Sequence, residues 1–298
     1  LESFYNHGLF GVHVFYTISG FVFAHVYLSA SRKISFRDFF LNRFARLYPL
    51  HFATLIVVLI LQIINLRTIN SFQIYFINDL YHFLLNIFFI SSWGLEKGYS
   101  FNGPIWSISI EIIIYFLFFI LLSLLRKYRL ILVILISIIF IMIYKIFDLE
   151  LLTLTCARLF FSGVLIYVIS EKWKKNLLLQ FIIFSTLLLF SFIGNFKIYL
   201  FCPSVLMIFV LIDNLIKKDG IKYFFKSAGN LTYALYLLHI PVQLIILIFA
   251  YHLNFTDTIY INHYFFLSFF VVMILLSNYS FQFFEKPLNQ KIRKKFKN

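Results

Sequence analysis

Charge is what this sequence has least of. Only 13% of its 298 residues are charged, whereas about a quarter of the residues of a soluble domain are charged. So few charged side chains cannot cover a chain of this length with a solvated surface, which argues against a soluble globular protein. The hydrophobic 62% of the residues are gathered into long runs instead. Runs of about 20 residues match the roughly 30 Å of bilayer hydrocarbon when they form helices.

The signatures of several enzyme and binding classes are missing as well. The two cysteines, Cys156 and Cys202, lie in or near apolar segments and form no disulfide framework or metal-type spacing. They are predicted to be small packing residues. The sequence has no Gly-rich phosphate loop, nucleophile elbow or dinucleotide fingerprint. We therefore expect no metal and no tightly bound cofactor.

Ten apolar segments follow one another along the chain. Nine are long enough to cross a bilayer, and the third, with about 14 residues, suits a re-entrant or interfacial helix better. The predicted fold is all-α, a polytopic transmembrane bundle of about nine spans plus one short helix. The segments cover roughly residues 9–30, 47–66, 80–93, 104–125, 130–147, 153–170, 177–193, 198–216, 229–252 and 262–284.

The distribution of positive charge supports nine crossings. If the third segment does not cross, one side of the membrane receives 21 of the 26 Lys and Arg residues and the other side receives four. Cytoplasmic loops are enriched in Lys and Arg, so the richer side, which includes the tail 285–298, is predicted to be cytoplasmic. The net charge of +14 lies in short loops between spans, so nucleic acid is not an expected partner. Residues 1–298 are predicted to form a single membrane domain.

A few polar residues fall where a bilayer tolerates them poorly. Glu111 lies well inside a predicted span, where it is either a substrate or proton ligand or the partner of an ion pair with Arg158. His239 lies mid-span, where chemistry and packing are equally good explanations. Pro241 follows it and frees the carbonyl of Leu237 from its helical hydrogen bond, so that this carbonyl can bind a water, a protein group or a ligand.

Two arginines lie at the predicted cytoplasmic end of the second span. Arg43 and Arg46 are three residues apart, so both guanidinium groups fall on one face of a helix. On the residues alone, anchoring by positive charge is the favoured interpretation. The alternative is a fork that binds phosphate oxygens, for which arginine has the right geometry.

Taken together, the motifs resemble those of the integral-membrane acyltransferase family 3, the bacterial O-acetylases of surface polysaccharides and related sugars. Four stretches carry the resemblance, in the family's order and across essentially the whole chain. They are the Gly-Val-x-x-Phe-Phe-x-x-Ser-Gly-Phe-like stretch at 8–21, Arg-x-x-Arg at 43–46, Pro-x-Trp-Ser-x-x-x-Glu at 104–111, and the Ser-Tyr-x-x-Tyr-Leu-x-His-like stretch at 232–239, in which Thr232 replaces the family's Ser.

The resemblance implies ten spans with both ends cytoplasmic. The family's first helix carries an Arg and a proposed catalytic His, and it should end shortly before Gly8. We therefore expect that sequence is missing upstream of Leu1. His7 is too close to the Gly-Val signature to be that histidine, and His13 stands where the family commonly has an Asp.

The resemblance further implies an enzyme of the bacterial cytoplasmic (inner) membrane. It would move an acyl group, acetyl in the expected case, from acyl-CoA to a hydroxyl of a cell-surface glycan or lipid-linked sugar. Glu111 and His239 are predicted as catalytic residues. Six residues are predicted to bind the substrates, with the two arginines 43 and 46 on the donor phosphates: Arg43, Arg46, Asn102, Trp106, Arg158 and Tyr236.

Two other functions stay open at this point. A multi-span transporter or flippase for a lipid-linked sugar would also use buried polar residues and broken helices, although no inverted repeat is visible. A catalytically inactive relative would follow if the upstream helix were absent from the natural protein. Consumption of acyl-CoA separates the enzyme from the transporter.

Overall fold

The chain folds into helices joined by short connections in a computed structural model that describes residues 8–30, 34–147, 151–192, 197–216, 219–254 and 262–296. Every regular element within these ranges is helical, which confirms the predicted all-α fold. His7 lies outside the described residues. The elements are α1 Gly8–Leu28, α2 Phe36–Thr68, α3 Leu80–Ile87, α4 Ile105–Lys127, α5 Arg129–Phe147, α6 Leu152–Lys172, α7 Leu177–Ser191, α8 Lys197–Leu215, α9 Asp219–His252, α10 His263–Ser280, a π-helical turn Phe281–Glu285, and α11 Lys286–Phe296.

The helix lengths agree with a polytopic membrane protein. Eight helical stretches of the described chain are long and apolar enough to cross a bilayer, counting His263–Phe296 as one. The apolar helix α7 is shorter. Helix α3 has only eight residues, or about 12 Å at 1.5 Å per residue, so it cannot cross. The prediction that the third apolar segment is a short non-spanning helix is therefore confirmed.

Hydrogen bonds of polar side chains hold the connection between α2 and α4 in place. Asp79 caps α3 by accepting hydrogen bonds from the backbone N–H of His82 (2.8 Å) and from its ring Nδ1 (2.7 Å). These bonds hold the pKa of Asp79 below its ordinary value. Farther along, the amide of Asn86 donates to Ser100 Oγ at 2.9 Å. The loop that delivers Asn102 to the start of α4 is thus held by side-chain bonds rather than by regular structure.

The helices group into two compact units. The first unit comprises Ser35–Ser109 and Tyr223–Asn298, and the second comprises Glu2–Ile34 and Ile110–Lys222. The first contains α2, α3, the start of α4, nearly all of α9, α10 and α11. The second contains α1, most of α4, and α5 to α8. The single domain inferred from the sequence stays a prediction.

In the second unit, α1 and α6 approach each other backbone to backbone. A Cβ added to Gly20 would lie 1.8 Å from the carbonyl oxygen of Phe160, and one added to Gly163 would lie 1.9 Å from that of Thr17. Only glycine fits at such crossings. Next to them Phe23 stacks on Tyr115, with ring centroids 4.2 Å apart. The glycine of the Ser-Gly-Phe signature is thus explained by helix packing.

Two cations on either side of the turn between α4 and α5 have a structural role in the second unit. Arg126 donates from Nε (3.1 Å) and from one terminal nitrogen (2.8 Å) to the backbone oxygen of Tyr27. Arg129 donates to that of Leu28 at 3.0 Å. Helix C-termini leave carbonyls without helical partners and carry partial negative charge, so these arginines cap α1.

Candidate functional site

The carboxamide of Asn102 joins three segments of the first unit. Asn102 is fully buried just before α4, and its Nδ2 donates to Thr54 Oγ1 of α2 and to the backbone oxygen of Leu237 in α9, both at 3.0 Å. The Leu237 carbonyl lacks its helical partner because Pro241 has no N–H. The freed carbonyl predicted from the sequence is therefore present, and its partner is a protein side chain.

A second polar link connects the same two helices, α4 and α9. The hydroxyls of Ser107 and Tyr236 are 2.9 Å apart, and Ser107 Oγ also donates to the backbone oxygen of Pro104 at 3.2 Å. Trp106, beside Ser107, is buried, and its ring centroid lies 6.2 Å from that of Tyr99. The tryptophan predicted to hold a substrate thus packs near the loop that precedes α4.

His239 extends this arrangement along α9. Its imidazole is half-buried, and its centroid lies 6.1 Å from the ring of Tyr236. Four residues predicted for the site therefore occupy one region of the first unit. We call this region the α4–α9 cluster: Thr54, Asn102, Trp106, Ser107, Tyr236 and His239.

Thr54 belongs to the cluster but was not singled out from the sequence. Its hydroxyl donates to the backbone oxygen of His51 at 3.0 Å and accepts from Asn102. A threonine inside an apolar run is the signal that could have drawn attention to it. His51 itself stacks on Phe89 at 4.3 Å and lies 2.8 Å from the backbone oxygen of Asn86. These contacts pack His51 against the end of α3 and the residues that follow it.

The two arginines of the Arg-x-x-Arg motif differ in their surroundings. Arg46 is exposed and lines a cavity of about 270 Å³ in the first unit, whereas Arg43 is half-buried and is not one of the described residues around that cavity. Tyr233 also lines the cavity and donates from its hydroxyl to the backbone oxygen of Leu47, which connects α9 to this part of α2.

The remaining two predicted site residues lie in the second unit. Glu111 is 1% exposed on α4, near enough to Cys156 for the two groups to interact electrostatically. Arg158, 6% exposed, has its guanidinium 4.6 Å from the ring centroid of Tyr144 and 3.4 Å from that of Tyr199. These are cation–π distances. An ion pair between Glu111 and Arg158 stays a prediction.

Potential metal ligands are scattered in the described ranges. No group of three or more His, Cys, Asp or Glu side chains that could hold a metal ion occurs among the described residues. Both cysteines are free and buried, in agreement with the packing role predicted for them.

Comparison with known proteins bears on nearly the whole chain. A family model described as an acyltransferase domain, of the acyltransferase 3 type, matches residues 1–279. The matched region contains all four motif stretches.

One relative is a peptidoglycan O-acetyltransferase of Listeria monocytogenes. It is 24% identical over 120 residues, which are 37% of this chain and 19% of the relative. The aligned part is thus about a fifth of that protein's length. No solved structure matches the chain.

Proposed function

Since the chain belongs to the acyltransferase 3 family of integral-membrane acyltransferases, we propose that it transfers an acetyl group from acyl-CoA to a hydroxyl of a cell-surface glycan or lipid-linked sugar. The hydroxyl oxygen attacks the thioester carbonyl carbon directly. The C–S bond breaks as the new C–O bond forms, and the hydroxyl proton ends on the CoA thiol. A histidine carries that proton as general base and then general acid.

The observation that carries the proposal is the bridge made by Asn102. One buried carboxamide holds a hydroxyl of α2 and the proline-freed carbonyl of α9, next to the linked hydroxyls of Ser107 and Tyr236. Polar groups within a membrane protein are costly, and they concentrate where a substrate or ion is handled. Irregular backbone at such depth occurs where it is buried in protein or lines a cavity.

Each predicted residue receives a proposed role. His239 is the histidine of the α4–α9 cluster. Glu111 and His239 are proposed to act on the reacting groups, while Arg43 and Arg46 are proposed to bind donor phosphates. Four residues are proposed to hold the acceptor: Asn102, Trp106, Arg158 and Tyr236.

The proposed orientation follows from charge. The tail 285–298 and the loops with 21 of the 26 Lys and Arg residues would face the cytoplasm. Acyl-CoA is supplied on that side, where Arg46 of α2 would bind its phosphates. The proposed location is the bacterial inner membrane.

Transfer of labelled acetyl groups tests the proposal. Full-length protein in membranes would receive acetyl-CoA labelled in its acetyl group, and label in the extracted glycan would be counted. We expect Arg46→Ala to reduce transfer by about tenfold, the loss of one charge-assisted contact. Arg67→Ala, at the other end of α2 and exposed, should have no effect. Sugar movement without any acyl-CoA consumption by folded protein would contradict the proposal and favour a transporter.

A further inference from the structure

The cavity next to Arg46 is built largely by the C-terminal segment, which lies outside the motifs that relate the chain to its family. Its lining includes Arg46 of α2, Tyr233 of α9 and, from the C-terminal segment, Glu285, Lys286 and Arg293. All of these belong to the first unit. The cavity therefore lies within one compact unit.

One face of α11 provides the polar wall of this cavity. Lys286, Asn289, Gln290 and Arg293 line it, and their spacing of three, four and seven residues places them on one side of a helix. The helix's remaining cations are exposed and do not line it: Lys291, Lys294 and Lys295. Membrane anchoring by positive charge does not require particular cations and amides to lie together on one face of the helix.

The arrangement of charges favours a bound anion. Arg46, Lys286 and Arg293 converge on the cavity, against the single carboxyl of Glu285. Glu285 is 9% exposed, accepts a hydrogen bond from Ser280 Oγ at 3.3 Å, and interacts electrostatically with Arg46. The lining therefore has a net positive charge even when Glu285 is ionised. Glu285 is also placed to hold Arg46 in position.

One donor of the cavity wall is available to a ligand. The Nε of Arg293 is buried and has no hydrogen-bond partner within the described part of the chain. A buried polar group without a partner costs free energy unless something binds it. The π-helical turn Phe281–Glu285 immediately precedes α11, and such turns are frequent at functional sites.

We propose that this cavity is a phosphate-binding site in which Lys286 and Arg293 of α11 bind phosphate oxygens together with Arg46. Its volume of about 270 Å³ is just below the pockets of roughly 300–1,000 Å³ that enclose drug-sized ligands. It therefore accommodates a phosphate-bearing head while the rest of the ligand extends beyond it. Where the phosphate is that of an acyl-CoA, the inference rests on the proposed function.

Phosphate on coenzyme A and phosphate on an anionic lipid headgroup have the same chemistry. The probes are therefore desulfo-coenzyme A and phosphatidylglycerol, with full-length protein in phosphatidylcholine nanodiscs. Desulfo-coenzyme A binding would be measured by calorimetry. Phosphatidylglycerol retention would be measured by native mass spectrometry after adding this lipid to the nanodiscs.

A matched set of alanine variants decides the outcome. Lys286→Ala and Arg293→Ala should each weaken the binding of one of the two probes by about tenfold. Lys294→Ala removes the same charge from the exposed face of α11 and should leave the binding of both probes unchanged. Loss of desulfo-coenzyme A affinity supports a donor site, and loss of lipid retention supports a headgroup site. If all three variants behave alike in both assays, the inference is overturned.

The proposed function and this inference can fail separately. If wild-type protein acetylates glycan and Lys286→Ala and Arg293→Ala match Lys294→Ala in binding and in KM for acetyl-CoA, the phosphate site is wrong and the enzyme stands. If no acyl transfer occurs but Arg293→Ala still weakens phosphate binding relative to Lys294→Ala, the site stands and the proposed reaction is wrong.

Discussion

The two units hold their helices together in different ways. In the second unit, α1 and α6 meet through glycines that allow their backbones into contact, with Phe23 and Tyr115 stacked alongside. In the first unit, α2, α4 and α9 are joined by the side chains of Asn102 and Ser107. Both are known ways of packing helices in lipid.

The difference separates scaffold from candidate site. Close glycine packing accounts fully for Gly20 of the signature stretch, with no need of chemistry. Hydrogen bonds between membrane helices contribute on average only about 0.6 kcal/mol each, so packing alone gives little reason for the polar groups of the α4–α9 cluster. The α4–α9 cluster is therefore the region in which we expect the reaction to take place.

The largest effect is expected from a methyl group at Gly20. A Cβ there would lie 1.8 Å from a backbone oxygen that cannot move aside cheaply. Gly20→Ala should cost about 3 kcal/mol or more of stability, at the upper end of overpacking. Thermal unfolding in detergent would measure it. Gly11→Ala, on the same helix with nothing within 4 Å of the added Cβ, should be at least as stable as wild type. Equal melting of both variants would refute the packing account.

The next effect concerns two buried asparagines of the first unit. Asn102→Leu leaves Thr54 and the Leu237 carbonyl without their donor, at a cost of about 1–3 kcal/mol. It should lower acyl transfer by about a hundredfold because the cluster loses its geometry. Asn65 is equally buried, but its amide has no hydrogen-bond partner in the described chain. Asn65→Leu should therefore be neutral or stabilising and leave transfer unchanged. Similar losses in both variants would contradict the special role of Asn102.

A smaller effect is expected at the hydroxyl pair. A double-mutant cycle of Ser107→Ala and Tyr236→Phe should give a coupling free energy of about 0.6 kcal/mol, the average value of a hydrogen bond between membrane helices. The cycle would be measured from unfolding free energies. Tyr251→Phe, exposed near the end of α9, serves as the control and should not couple to Ser107→Ala. A coupling near zero for the first pair would mean that the two hydroxyls do not bond.

A similarly small effect is expected at the buried cation of the second unit. Arg158→Lys keeps the charge but loses the planar stacking between Tyr144 and Tyr199, which should cost about 0.5–1 kcal/mol. Tyr144→Phe keeps the ring and should retain full stability, whereas Tyr144→Leu should not. Unfolding curves of these variants would decide whether the rings stabilise the guanidinium.

The sequence predicted the parts of the structure that depend on local properties. The apolar runs indicated the helices, and the shortness of the third run indicated the eight-residue α3. At the candidate site, Pro241 alone predicted the freed carbonyl of Leu237, because the missing N–H of a proline affects a residue only four positions away.

Partners far apart in the chain could not be found in this way. Asn102 and Leu237 are 135 positions apart, and no periodic pattern relates them. The rings around Arg158 likewise come from two other helices. The polar face of α11 could have been predicted from the sequence, because the spacing of Lys286, Gln290 and Arg293 is helical. It was not singled out because the overall positive charge of the tail already explained this segment as a cytoplasmic anchor.

The most direct test of the central claim is transfer of labelled acetyl by His239→Ala and Glu111→Gln in folded full-length protein. His252→Ala, exposed at the end of α9, is the matched control. The account predicts that each of the first two variants lowers transfer by about a hundredfold or more, the usual loss when a general acid–base group is removed, while the control keeps wild-type transfer. Wild-type transfer by both His239→Ala and Glu111→Gln would contradict it.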